Sequence, residues 1–182
     1  MFYSLQSLLM FVNKSSGFTL IELITVIILL GILSSVALAK YINLSDDAYQ
    51  AKVKANAAAL KSGVTLAHTK WLALGSPSSL SARNDIQLYG NQANGRMDIN
   101  VNGWPAQSWI GTDTQLHTNN DADCLSLWGA LIEDGSNKAA SNNSAEFISN
   151  FEGNQVCSYK LNKNINYGFL YDSKTGAVTL TF

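Results

Sequence analysis

The sequence predicts an α+β protein, on three observations. A run of 22 residues, Phe18 to Ala39, holds one ionisable side chain; a helical periodicity continues from it through residue 74; and three strand-like runs close the chain. At 1.5 Å per residue the apolar run spans roughly the 30 Å of a hydrocarbon core, so it reads as a membrane-crossing helix. A secretory signal is the rival reading, but its apolar part is usually only about 7 to 15 residues long. Lys14 precedes the run and Lys40 follows it, so charge counting leaves the orientation open.

The helix is expected to continue beyond the anchor as a stem over 40–75. Val53, Ala57, Leu60, Val64, Ala67, Trp71 and Leu74 recur at alternating steps of four and three, which makes one apolar face, while Lys52, Lys54, Lys61 and Lys70 lie off it. Tyr41, Leu44, Ala48, Ala51 and Ala55 make a similar stripe earlier. Gly75 followed by Pro77 predicts a left-handed stop and then a residue that cannot resume the helix.

From 76 to 182 the periodicity changes and a globular α+β head is expected. Asp98 to Asn102 alternates as a short strand and runs into a turn at Gly103, Trp104 and Pro105. Leu125, Trp128, Leu131 and Ile132 are spaced as a helix, with Asp121 or Asp123 as its cap and Gly135 as its stop. The runs 156–161, 166–172 and 177–182 predict an antiparallel meander, with turns at 162–164 and 173–176. Cys124 and Cys157 lie too far apart for a redox dithiol or a four-ligand metal site. Beyond a membrane anchor they read as a structural disulfide, against two reduced buried thiols as the alternative.

The chain of 182 residues is large enough for one ordinary core. Its net charge of -1 lacks the basic signature of a nucleic-acid binder. That balance is uneven: residues 40–70 carry five Lys against two Asp, whereas 71–182 carry six basic and ten acidic side chains. A mildly basic stem therefore joins a mildly acidic head, and Asn, Ser and Gly fill much of the head's surface in place of charge.

The string GFTLIELITVIILLGIL, Gly17 to Leu33, resembles the N-terminus of type IV pilins and the related pseudopilins. The resemblance implies a lollipop fold, with a leader over 1–17 that a prepilin peptidase removes between Gly17 and Phe18 before methylating the Phe18 amine. It implies an assembly role for Glu22, partnership with other pilin subunits and an inner-membrane assembly platform, and no cofactor. It places the head in the periplasm before assembly and outside the cell in the filament. Ala39 stands where many pilins carry proline, so no kink is carried over to that position. Residues 40–49, 101–106 and 124–128 resemble the mannose-sensitive haemagglutinin pilins, and the loop-rich head is more like a minor subunit of that adhesive system. The first nine residues are apolar and uncharged, whereas a start at Met10 leaves the short leader MFVNKSSG.

Glu22 is the residue that most needs a reason, because a charge within a membrane costs about 2.5 to 3.5 kcal/mol on insertion scales. In the pilin reading its partner is the Phe18 amine; in the plainer reading it lies at the headgroup edge. Gly31, Ser34 and Ser35 are ordinary small residues of a membrane helix. Asp113, Asp121 and Asp123 are candidate calcium ligands with no EF-hand spacing, and equally caps and solvated loop acids. His68 and His117 stand about fifty residues apart without a metal or nucleophile motif, so no catalyst is expected. The aromatic residues Trp71, Trp104, Trp109, Trp128, Tyr167, Phe169 and Tyr171 fit a core better than a ligand platform. A pseudopilin of a type II secretion system and a tethered periplasmic binding module are the alternatives; the GFTLIE junction is what a simple anchor does not need.

Overall fold

The computed structural model describes residues 17–90, 95–111, 113–132 and 138–182. Met1, Met10, Lys14 and Gly135, with the expectations attached to them, lie outside these. Two compact units divide the chain, one ending at Leu44 and one running from Ser45 to Phe182. Helix α1, Leu20–Ala73, contributes to both.

Among the described residues of the first unit, the apolar side chains are exposed, from Leu20 at 75% to Leu38 at 63%, along a helical run that is long enough to cross a bilayer. Such a surface is stable only in lipid or against other apolar helices. Helical structure passes through Ala39 without a break. Tyr41 and Leu44 are exposed too, as are Ala48, Ala51 and Ala55, so the earlier stripe of the sequence covers no core in this chain.

The second unit begins with the stem part of α1 and continues through α2 (Leu80–Arg83), β1 (Ile86–Gln87), β2 (Arg96–Ile99) and β3 (Pro105–Gln107). After α3 (Asp121–Leu131) come β4 (Ala139–Ala140), β5 (Phe147–Phe151), β6 (Val156–Leu161), β7 (Gly168–Asp172) and β8 (Ala177–Thr181). Strands β1-β2-β3 form a small antiparallel sheet; β4 to β8 form a second sheet in chain order, antiparallel except for the parallel β4–β5 pair. The α+β class is as the sequence predicts.

Val53, Ala57, Leu60, Val64 and Ala67 are buried as their spacing requires, in one cluster with Leu127, Trp128, Phe147, Tyr159 and Phe169. Each fully buried Val or Leu contributes about 1.5 to 3 kcal/mol. Leu74 departs from the stripe and is 53% exposed, because α1 has ended. Gly75, at φ 84°, donates to Leu72 O, and Ser76 donates to Trp71 O, which is the paired closure of a Schellman stop. Above that stop three rings stack: His68 lies 3.9 Å from Trp104 and 5.5 Å from Trp71, and its Nδ1 meets Gly103 O at 2.7 Å. Trp71 covers Gly103 and Trp104 covers Gly176 so closely that a Cβ would come within 2.5 and 2.2 Å of the rings. The stack thereby ties the end of α1 to the β2–β3 and β7–β8 turns.

Two expectations for the head are corrected and one strand is added. The strand at 98–102 is shifted: β2 starts at Arg96 and stops at Ile99, and Val101 is 75% exposed in a turn. Asn100 ends the strand by accepting from the Asn102 and Trp104 amides through its side chain. The cap of α3 is Asn120, in extended backbone, with its side chain accepting from Asp123 N at 3.0 Å. Strand β5 went unread, since FISNF is short and framed by Asn and Ser. Cys124 in α3 and Cys157 in β6 are bonded, with Cα atoms 5.5 Å apart. Tyr159 Oη also donates to Cys124 O at 2.7 Å.

Candidate functional site

The first turn of α1 is closed by two residues of the apolar run. Thr19 N donates to Glu22 Oε2 at 2.8 Å, Thr19 Oγ1 donates to the same oxygen at 2.7 Å, and Glu22 N reaches Thr19 Oγ1 at 3.3 Å. This is a capping box: a threonine before the helix and a glutamate three residues later satisfy each other's free amides. The glutamate also lies where the helix macrodipole favours negative charge. Among the described residues only Oε2 is occupied, which leaves Oε1 open to a further donor. Thr19 was not singled out in the sequence, although the T-x-x-E spacing ahead of an apolar run is a readable signal.

Phe18 is 82% exposed, and nothing stands within 4 Å of where a Gly17 side chain would be. The Gly17–Phe18 bond and the Glu22 carboxylate thus lie together at the open end of the exposed apolar helix. Thr25 Oγ1 and Ser35 Oγ bond back to carbonyls of their own helix, and Gly31 meets no neighbour.

The head's candidate ligands are dispersed among structural bonds. Asp123 accepts from Asn119 N, Asn120 Nδ2 and Trp109 Nε1; Asp121 accepts from Phe151 N; and Asp113 accepts from Gln107 Nε2. Among the described residues no three His, Cys, Asp or Glu side chains converge as a metal set. His117 is half-buried and lines a groove with Arg83 and Gln155, and no bond joins it to the His68 stack among the described residues. Trp128, Phe169 and Tyr171 are core, as their spacing suggests, whereas Trp109 is 44% exposed.

Asp98 is the buried acid of the head. It accepts from Asp85 N at 2.8 Å and from Gln107 Nε2 at 3.2 Å, and the same Gln107 nitrogen bridges to Asp113. Loss of hydration outweighs these bonds and, with the charges of Asp113 and Asp85 adding to it, pushes its pKa up to about 6. The folded state therefore holds the proton more tightly than the unfolded state, so stability rises as the pH falls from 7 through 6 toward 4. Between pH 7 and pH 5 the head is expected to gain on the order of 1 kcal/mol from this group. Urea unfolding of the micelle-bound chain at pH 7 and pH 5, followed by tryptophan fluorescence, checks it. The rise in midpoint should shrink in Asp98→Asn, and an equal rise in both proteins contradicts the assignment.

Residues 12–38 match the family model described as the prokaryotic N-terminal methylation motif. The chain is similar to the type IV narrow pilus major component PilA5 of Thermus thermophilus, with 32% identity over 116 residues, covering 63% of this chain and 87% of that protein. No solved structure matches the chain.

Proposed function

This chain belongs to the type IV pilin family, and from that premise we propose that it is a structural subunit cleaved between Gly17 and Phe18, methylated on Phe18 and assembled through α1 into an adhesive filament. The carrying observation is the exposed apolar helix with one carboxylate in its first turn. In lipid that helix anchors the subunit in the inner membrane, with the head in the periplasm; in the filament the same surface packs against its neighbours. The open Oε1 of Glu22 then receives the new Phe18 amine, of its own or a neighbouring subunit, while Oε2 keeps the cap. The partners on this reading are the prepilin peptidase, the assembly platform and other pilins.

The resemblance at 40–49, 101–106 and 124–128 supports placing the chain with the mannose-sensitive haemagglutinin pilins, and its loop-rich head supports a minor position there. Mass spectrometry of sheared filaments with N-terminal sequencing tests the whole reading. The expected chain starts at N-methylated Phe18 and is less abundant than the main subunit. A mature N-terminus elsewhere, or an uncleaved chain within filaments, overturns it.

A further inference from the structure

Arg83, the last residue of α2, is 5% exposed, yet no carboxylate among the described residues balances it. The ion pairs of the described residues are Lys52–Glu146, Arg96–Asp85 and Lys160–Glu152. Its Nε donates to Ser78 O at 3.2 Å and its Nη1 to Ile99 O at 2.9 Å, which uses two of five donors. Nη2 carries no bond among the described residues and is not a buried unpartnered atom, so it keeps contact with solvent, and the residue lines a groove. A cation held this far from water by neutral carbonyls alone is costly, and a bound anion removes that cost.

The groove has a volume of about 460 Å³, within the range of small-molecule sites. Its floor is stiff: Asn100 and Asn102 spend their amides on the Ser173 and Lys174 carbonyls. Around the rim stand Thr114, Gln115, His117 and Gln155. Hydroxyl, amide and imidazole groups each donate and accept, which is what neighbouring hydroxyls of a polyol require. Leu80 and Val101, 39% and 75% exposed, add an apolar edge. The lone guanidinium balances the single charge of a carboxylate, whereas a near-dianionic phosphate would keep uncompensated charge.

We propose that this groove binds a hydroxylated carboxylate, a sugar acid of the uronate class, with its carboxylate on Arg83 and its hydroxyls on the Thr114, Gln115, His117 and Gln155 rim. Galacturonate titrated calorimetrically into the unassembled full-length chain in micelles tests this independently of filament formation. Galacturonate should bind at least about tenfold more tightly than galactose, the factor that one hydrogen bond to a charged group provides, and also more tightly than acetate, which lacks the hydroxyls, and than inorganic phosphate. Arg83→Lys should weaken it by a similar factor. Because Arg83 is buried, the exposed pair Gln115→Ala and Gln155→Ala provides a second test: weaker galacturonate binding with an unchanged melting temperature. Absence of galacturonate binding, or equal binding of galactose, overturns the carboxylate site; equal binding of acetate overturns the polyol; equal binding of phosphate overturns the choice of anion; and unchanged affinity in the glutamine double variant overturns the rim.

Discussion

Glu22→Gln is expected to leave the chain inserted and processed while its incorporation into filaments falls by roughly five- to thirtyfold. The substitution is informative because glutamine serves in a capping box as glutamate does, so the bonds to Thr19 survive and only the charge is removed. What is lost is the counter-charge for a new Phe18 amine in a low-dielectric core, where a charged pair exceeds a neutral hydrogen bond by about 1 to 2 kcal/mol. Glu22→Asp keeps the charge and shortens the reach, so its incorporation should be intermediate. Thr19→Ala separates the two roles: it removes the cap at a cost of about 1 kcal/mol and leaves the carboxylate free. Quantification against the unmutated subunit in the same sheared filaments decides the matter. Normal incorporation of the Gln variant would show that charge does not drive docking, and a defect confined to Thr19→Ala would assign Glu22 to helix capping alone.

The parts of the fold that were legible in the sequence are those where one periodicity meets one environment. Val53 to Ala67 is read correctly because a 3.6-residue stripe has one buried solution, and Gly75 because only a left-handed residue closes that helix. The C-terminal meander is read because β6, β7 and β8 are separated by unambiguous turns. The Tyr41 to Ala55 stripe misleads, since periodicity reports a face but not whether this chain covers it. Asn120 and Asn100 were missed for a common reason: several Asn and Asp residues crowd both places, and backbone geometry selects which one caps. The capping partner Thr19 was within reach of a motif search. The burial of Arg83 was not, because it depends on β2 and the segment after α1 closing over a four-residue helix whose sequence, LSAR, carries no periodic signal.

The second large effect is expected from replacing both Cys124 and Cys157 by alanine, which should cost the head about 3 to 4 kcal/mol. The bond closes a loop of sequence separation 33 that contains β4 and β5, of which β4 has only two residues and pairs with β5 in parallel. Without the crosslink the unfolded chain regains the freedom of that loop, and the loss is a large share of the roughly 5 to 15 kcal/mol that holds a domain together. The head should still fold, because Tyr159 Oη keeps its bond to Cys124 O and Trp128 keeps its packing on Phe147, 5.0 Å away. Adding Tyr159→Phe to the double variant should therefore destabilise it further by about 1 kcal/mol, since the buried bond from the hydroxyl to Cys124 O is lost. Urea midpoints of the three proteins measure both steps, and alkylation of the native, non-reduced chain provides the control. Two reactive thiols in that control would mean that the bond does not form in the cell, and an unchanged midpoint in the double alanine variant would show that the Tyr159 strap and the aromatic core alone hold α3 to β6.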